Sequence, residues 1–389
     1  MAQSIFARRS PLVDFVHDEL VGGLVLVLAT MVALVWANLW PGGYESLWSW
    51  EPPIGVLHLD LHGWVNDGLM TLFFFVVGLE IKRELVVGEL SSPRDAAMPV
   101  VAAMGGMALP AALFLVINSG GDSARGWGIP MATDIAFVLG ALALLGSRAP
   151  AGLRLFLLAV AIVDDLGAIA VIAVAYSSGL SAAYLAAAVA VIGVVVLLRR
   201  IGAANPLGYA APALVLWFVV HESGVHATVA GVALGLLTPA EPIKGRDVLD
   251  NLQHRLHPLS ALVVVPLFAL ANAGVEIRGD AVSDLASSRL AWGIGAGLVV
   301  GKTIGIAGTA VAAQRLGLGR LPAGVLGHHL LGGAMLAGIG FTVALFVAEL
   351  SYTGDTLSEA KLAILIASVL AGAAGGLTLG FNRRPRPEE

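Results

Sequence analysis

Hydrophobic and polar positions alternate along this chain in blocks far longer than a soluble helix needs. Runs of about 20 apolar residues, each sufficient to cross a bilayer as a helix, are interrupted by charge or by Gly and Pro at intervals that predict roughly twelve spans. The limits fall near 16–38, 62–86, 96–118, 124–146, 153–176, 180–199, 205–219, 223–237, 250–273, 290–313, 324–348 and 358–380. The spans near 205 and 223 are short and separated only by His221, Glu222, Ser223 and Gly224, so a single merged span is the competing reading there. The connection after the first span has a different pattern. WPGGYESLWSWEPPIGVLHLDLHG carries no basic residue and alternates in LHLDLH between Gly and Pro turn signals, which predicts a small β-hairpin near 44–61. Its free edge would offer a second copy a strand to pair with, giving a homodimer; an ordered cap over the helix ends fits the same residues.

Composition agrees with the pattern. The chain is 58% hydrophobic and 13% charged, outside the range of water-soluble domains, so the expected fold class is an all-α polytopic membrane protein forming one domain over residues 1–389, with the lipid bilayer as its first partner. It has no cysteine, which removes disulfides, thiolate chemistry and cysteine-ligated metals. Charge sets the expected direction. With a cytoplasmic start, one set of loops holds all but five of the 22 Lys and Arg residues. The exceptions are Arg125, Arg278, Arg289 and Lys361 on the other side and Lys302 inside a span. That asymmetry places both termini in the cytoplasm and requires an even number of spans.

The remaining charges lie where they are costly. A charged side chain at mid-span costs about 2.5–3.5 kcal/mol on insertion scales. Yet Asp134 lies in GIPMATDIAFVLG, Asp164 and Asp165 in VAIVDDLGAIA, Lys302 in GLVVGKTIGIAG, and Asp67, Glu80 and Glu84 on the second span. Neighbours on a helix diverge by about 100°, so Asp164 and Asp165 cannot face one partner alike: one lines a cavity while the other reaches a second helix. Carboxylates are suitable ligands for a small hard cation, and the same oxygens take protons, which makes cation and proton competitors for one site. A buried ion pair with Lys302 is the bland reading, but one lysine cannot neutralise three acids. Pro130 before Thr133 and Asp134, and Gly332, Gly333, Gly338 and Gly340 in the eleventh span, predict two interrupted helices. There Asp134 would balance N-terminal dipole ends and Lys302 C-terminal ones. The interrupted spans are second in the triplets 96–176 and 290–380, as expected of inverted repeats.

Six strings, VNDGLMTLFFFVVGLEIKREL, TDIAFVLG, VAIVDDLGAIA, HESGVHATVAGV, PLFALANAGV and GIGFTVALF, spread from residue 65 to residue 346, resemble the bacterial sodium/proton antiporter NhaA family, in which inverted repeats are already known. The resemblance implies a twelve-helix inner-membrane transporter that exports Na+ or Li+ against protons electrogenically, with discontinuous helices IV and XI crossing at the site. It implies Asp165 as cation ligand and proton carrier, Asp164 as a second carrier or as the partner of Lys302, and Thr133 and Asp134 as helpers in the unwound segment. It also implies alkaline activation sensed at a cytoplasmic funnel, here Glu80, Glu84, His254 and His257. Gln253 departs from the acid often found at that position in the family. His226 reads as a helix-packing residue, and the GxxxG pairs Gly231/Gly235 and Gly301/Gly305 as close helix contacts. No resident cofactor, nucleic-acid face or enzymatic motif is expected: a Gly-x-Gly-Asp intramembrane protease signature is missing before Asp164, and a passive channel would not need coupling acids.

Overall fold

The computed structural model describes residues 11–53, 59–202, 205, 207–243, 245, 247–277, 279 and 281–381. Its elements are α1 (Pro11–Leu39), α2 (Pro41–Trp48), α3 (61–86), α4 (Pro93–Ile117), α5 (Asp122–Met131, wound as a 3₁₀ helix), α6 (Ile135–Leu145), α7 (Ala151–Ala175), α8 (Ala182–Arg200), α9 (Leu207–Glu222), α10 (Thr228–Leu237), α11 (Val248–Asn272), α12 (Arg289–Arg315), α13 (Gly327–Leu336), α14 (Phe341–Ser351) and α15 (Gly354–Gly380). Among the described residues seven helices are long and apolar enough to cross a membrane, and nine if α5 with α6 and α13 with α14 each count as one bent span. The chain is a polytopic membrane protein. The outward surface of α1, with Leu24, Leu28, Met31 and Val35 exposed, and that of α8, only 11% buried over its apolar window, suits contact with lipid.

α9 and α10 are separate helices, so the merged span is not what forms. Between them Gly224 adopts φ +82°, and a Cβ there would lie 2.2 Å from the Ser178 carbonyl oxygen, which only glycine avoids.

The β-hairpin expected over 44–61 needs correction. Residues up to Trp48 belong to α2, and no strand occurs among the described residues. Pro41 is preorganised for the first helical turn, and Tyr44 packs edge-on against Trp36 and Trp48, at ring-centroid separations of 5.6 and 6.1 Å. That aromatic packing outweighs a short alternation. Asp60 then caps α3 by accepting from the Gly63 N–H at 2.7 Å. Residues 54–58, which hold the start of LHLDLH, lie outside the described residues.

Two bundles result. In one, α1, α3, α10 and α11 pack together, with α9 on α10 and α8 on α9; the other combines α4 to α7 with α12 to α15. They meet along a seam where α1 touches α6, α3 touches α7 and α11 touches α14. Each bundle relies on small residues for close approach, as the GxxxG pairs suggest. A Cβ on Gly235 of α10 would sit 2.7 Å from the Gly78 Cα of α3, and one on Gly305 of α12 would sit 2.3 Å from the Gly105 carbonyl oxygen of α4. The second bundle repeats one order twice: a long helix, a bent pair and a long helix. The bends are 42° between α5 and α6 and 43° between α13 and α14.

Candidate ion site

Both bends unwind the chain at the same place. Helix α5 stops at Met131, where Pro130 cannot donate to the helical ladder, and Ala132 to Asp134 run extended. The second interruption follows Leu336 in a stretch bracketed by Gly338 and Gly340. Backbone groups released from a helix inside a membrane need partners, and here each break supplies them to the other. The Asp134 N–H donates to the Ile339 carbonyl at 2.7 Å, and the Thr133 hydroxyl lies 3.0 Å from the Ala337 carbonyl.

Asp134 stands in front of two helix N-termini. One carboxylate oxygen caps α6 by accepting from the Phe137 N–H at 3.2 Å. The other accepts from the Thr342 N–H at 3.0 Å and the Thr342 hydroxyl at 2.6 Å, in the first turn of α14. A negative charge there satisfies free donors and faces the positive ends of both dipoles. Lys302 does the converse. It follows a π-helical turn at Ala296–Gly301, and its ammonium donates to the Met131 carbonyl at the C-terminal end of α5. The same ammonium bonds Asp164 Oδ2 at 2.7 Å, with both side chains fully buried. Thr133 completes the group, its hydroxyl lying 2.7 Å from Asp164 Oδ2.

The two adjacent acids diverge. Asp164 turns to Lys302, whereas Asp165 lines a cavity together with Glu80, Thr133, Asp134, His257 and Thr342. His257 Nε2 lies 3.6 Å from Glu80 Oε1, so α3 and α11 of one bundle bring an acid and an imidazole to the wall opposite the aspartates of the other. Two residues expected with them lie apart from this cavity. Glu84 accepts from the Glu89 N–H at 2.7 Å and closes the local turn after α3, and His254 is exposed on α11.

Several site groups carried no signal of their own in the sequence. Thr342 was visible only as part of GIGFTVALF, because a hydroxyl on an apolar helix is usually satisfied by its own backbone. The Met131 and Ala337 carbonyls become ligand-like only because the chain unwinds. Asp164 and Asp165 each keep one buried oxygen, Oδ1, that accepts no hydrogen bond from the described residues. A buried carboxylate oxygen left so is costly unless a proton or a cation meets it.

The family model for Na+/H+ antiporter 1 matches residues 13–379. The chain belongs to the Na+/H+ antiporter 1 family. It is 45% identical to Na+/H+ antiporter NhaA 3 of Frankia alni, over 94% of this chain and 87% of that relative. It is 47% identical to NhaA 1 of Erythrobacter litoralis, over 96% of this chain and 93% of the relative. For NhaA of Rhodopirellula baltica the identity is 44%, over 96% and 95%. In this Na+/H+ antiporter 1 chain the interrupted helices thus assemble three carboxylates against one ammonium, with a cavity reaching two of the acids, Asp134 and Asp165.

Proposed function

We propose that the protein is an electrogenic Na+ or Li+/proton antiporter of the bacterial inner membrane, with both termini cytoplasmic. The observation that carries this reading is the split of the adjacent acids: Asp165 is at the end of a cavity, and Asp164 is held by Lys302 beside it. In this mechanism a cation reaching Asp165 Oδ1 replaces the proton on that carboxyl group, because one oxygen cannot hold both. Asp164 Oδ1 is the second oxygen offered to the cation; as it engages, the hold of Lys302 on Asp164 weakens, and the ammonium is the source of a second proton. Exchange of two protons for one cation moves net charge. The unwound backbone lets α5 and α6 cross α13 and α14 without stranding polar groups, with Asp134 facing the N-terminal ends of α6 and α14 and Lys302 the C-terminal end of α5.

The two runs of long, bent and long helices, 96–176 and 290–380, are read as inverted repeats within a single transporting domain, alternating access by moving against the other bundle. Twelve spans follow if α3, α9 and α10 each cross. We assign the cytoplasmic mouth to the Glu80 and His257 end of the cavity, with Glu84 and His254 on the approach, where acids and imidazoles collect cations and regulate transport by pH. A homodimer is assigned to the segment between α1 and α3, where Trp40 and Trp50 are exposed; a disulfide between Trp50→Cys copies on oxidation tests that contact.

The deciding experiment is dequenching of a pH dye in everted vesicles on adding Na+ or Li+. The natural chain is expected to respond, and Asp165→Asn to stay silent. An unchanged response in Asp165→Asn removes that residue from the ion path.

A further inference from the structure

A second buried charge cluster lies away from the aspartates, at the opposite ends of the same helices that form the cavity mouth. Glu80 and His257 sit toward the C-terminal end of α3 and the N-terminal half of α11. His62 and Asn66 sit at the start of α3 and Asn272 at the end of α11. At 1.5 Å per residue, the 18 residues from His62 to Glu80 span about 27 Å.

Glu349, two turns along α14 from Thr342, meets these groups. Its Oε1 is 2.5 Å from the Lys361 ammonium of α15 and 3.5 Å from His62 Nε2, with the Glu349 and Lys361 side chains only 11% and 10% exposed. His62 Nε2 also lies 3.0 Å from Asn272 Oδ1, and the Asn272 amide donates to Asn66 Oδ1 at 2.9 Å. Two acceptors, Asn272 Oδ1 and Glu349 Oε1, thus flank His62 Nε2, and the Asn66 amide nitrogen lies 3.4 Å from it. Glu349 and Lys361 belong to the bundle that holds the aspartates; His62, Asn66 and Asn272 belong to the other. The contact therefore closes the seam. One turn nearer the aspartates, Phe346 is buried against Phe74 and Phe268 from the facing bundle, at centroid separations of 5.4 and 6.2 Å.

We propose that Glu349, held by Lys361 and joined to His62 across the seam, is the gate residue that closes the ion site on the side opposite the Glu80 and His257 mouth, with Phe346 as the plug beneath it. Buried ion pairs contribute little net stability compared with apolar packing, so this one acts by fixing which bundle face meets which. While the latch is made, the aspartates communicate only with the Glu80 side. Breaking it lets the bundles separate at the other end. The proposal rests on the antiport reading for its purpose and on the seam alone for its geometry.

The chain contains no cysteine, so a single reporter has no background. Ala269 is fully buried on α11 between Val265, which lines the cavity, and Asn272 in the latch. In intact cells carrying Ala269→Cys, a membrane-impermeant thiol reagent is expected to react slowly, and at least tenfold faster after Glu349→Gln. His62→Ala, which leaves the Glu349 and Lys361 pair intact, is expected to give the same increase and carries the test if Glu349→Gln does not accumulate. The charge swap Glu349→Lys with Lys361→Glu keeps a bridge inside one bundle but sets an ammonium against His62, so it is expected to label quickly as well; a purely structural role predicts protection there. Na+-evoked proton release persists in Glu349→Gln, with the half-maximal Na+ concentration in everted vesicles raised because fewer molecules face that side. Labelling within twofold of the parent in both Glu349→Gln and His62→Ala overturns the gate. If the natural chain releases no protons while labelling still responds, antiport is refuted and the gate stands.

Discussion

Lys302 is the residue on which most of the buried charge depends. Its ammonium serves Asp164 and the Met131 carbonyl without any contact with water. Removing one partner from a buried pair leaves an uncompensated charge, a change that costs about 3–5 kcal/mol. Lys302→Ala is therefore expected to lower the thermal unfolding midpoint in detergent sharply, and pairing it with Asp164→Asn to recover part of the loss by removing the stranded carboxylate; a double variant as unstable as the single would show that the two side chains do not act together. The identity of these residues was legible in the sequence, because charge inside an apolar run has few explanations. The division of labour between Asp164 and Asp165 was legible from helix geometry only as a 100° divergence; the family resemblance pointed to Asp164 as the partner of Lys302, and the structure has that pair. Glu84 and His254 illustrate the reverse case. Glu84 shares a helix face with Glu80 one turn away, but it does not line the cavity, and its carboxylate accepts from the Glu89 N–H.

At the scale of elements, the interruptions were announced by proline and glycine, and they occur where those residues stand. Breaks in membrane helices are tolerated only when the freed backbone finds partners. Here the partners are the other break, so neither bend is stable alone. The glycine contacts are similarly mutual. Gly305 packs on the backbone of Gly105, and overpacking such a contact costs about 1–3 kcal/mol. Gly305→Leu is expected to lower the unfolding midpoint and to disturb antiport through Lys302, three residues earlier on the same helix; Gly308→Leu, whose Cβ would meet nothing closer than 3.9 Å, is the matched control and is expected to leave both nearly unchanged. The segment after α1 went the other way. A short alternating run between turn residues has weak local preferences, and the edge-on packing of Trp36, Tyr44 and Trp48 decided for a helix in its first part.

For the whole molecule, the seam between bundles matters more than any single helix, because the cavity, the aspartates and the Glu349 latch all lie along it. A cation bound at Asp165 stabilises the folded chain by mass action, about 2.7 kcal/mol at a concentration 100 times the dissociation constant. Na+ is accordingly expected to raise the unfolding midpoint of the natural chain in detergent, less so as pH falls, since protons compete for the same oxygens. Asp165→Asn is expected to abolish the shift; a Na+ effect that is equal at all pH values, or that survives in Asp165→Asn, would place the cation elsewhere. By itself the sequence determined the membrane class, the places where two helices break and the charges gathered at the ion site, because a polar group in hydrocarbon is costly wherever it stands and proline and glycine interrupt a helix locally. Only the tertiary structure decided that Thr342 and two backbone carbonyls join the site and that Glu349 meets His62, because these depend on helices far apart in the chain arriving side by side.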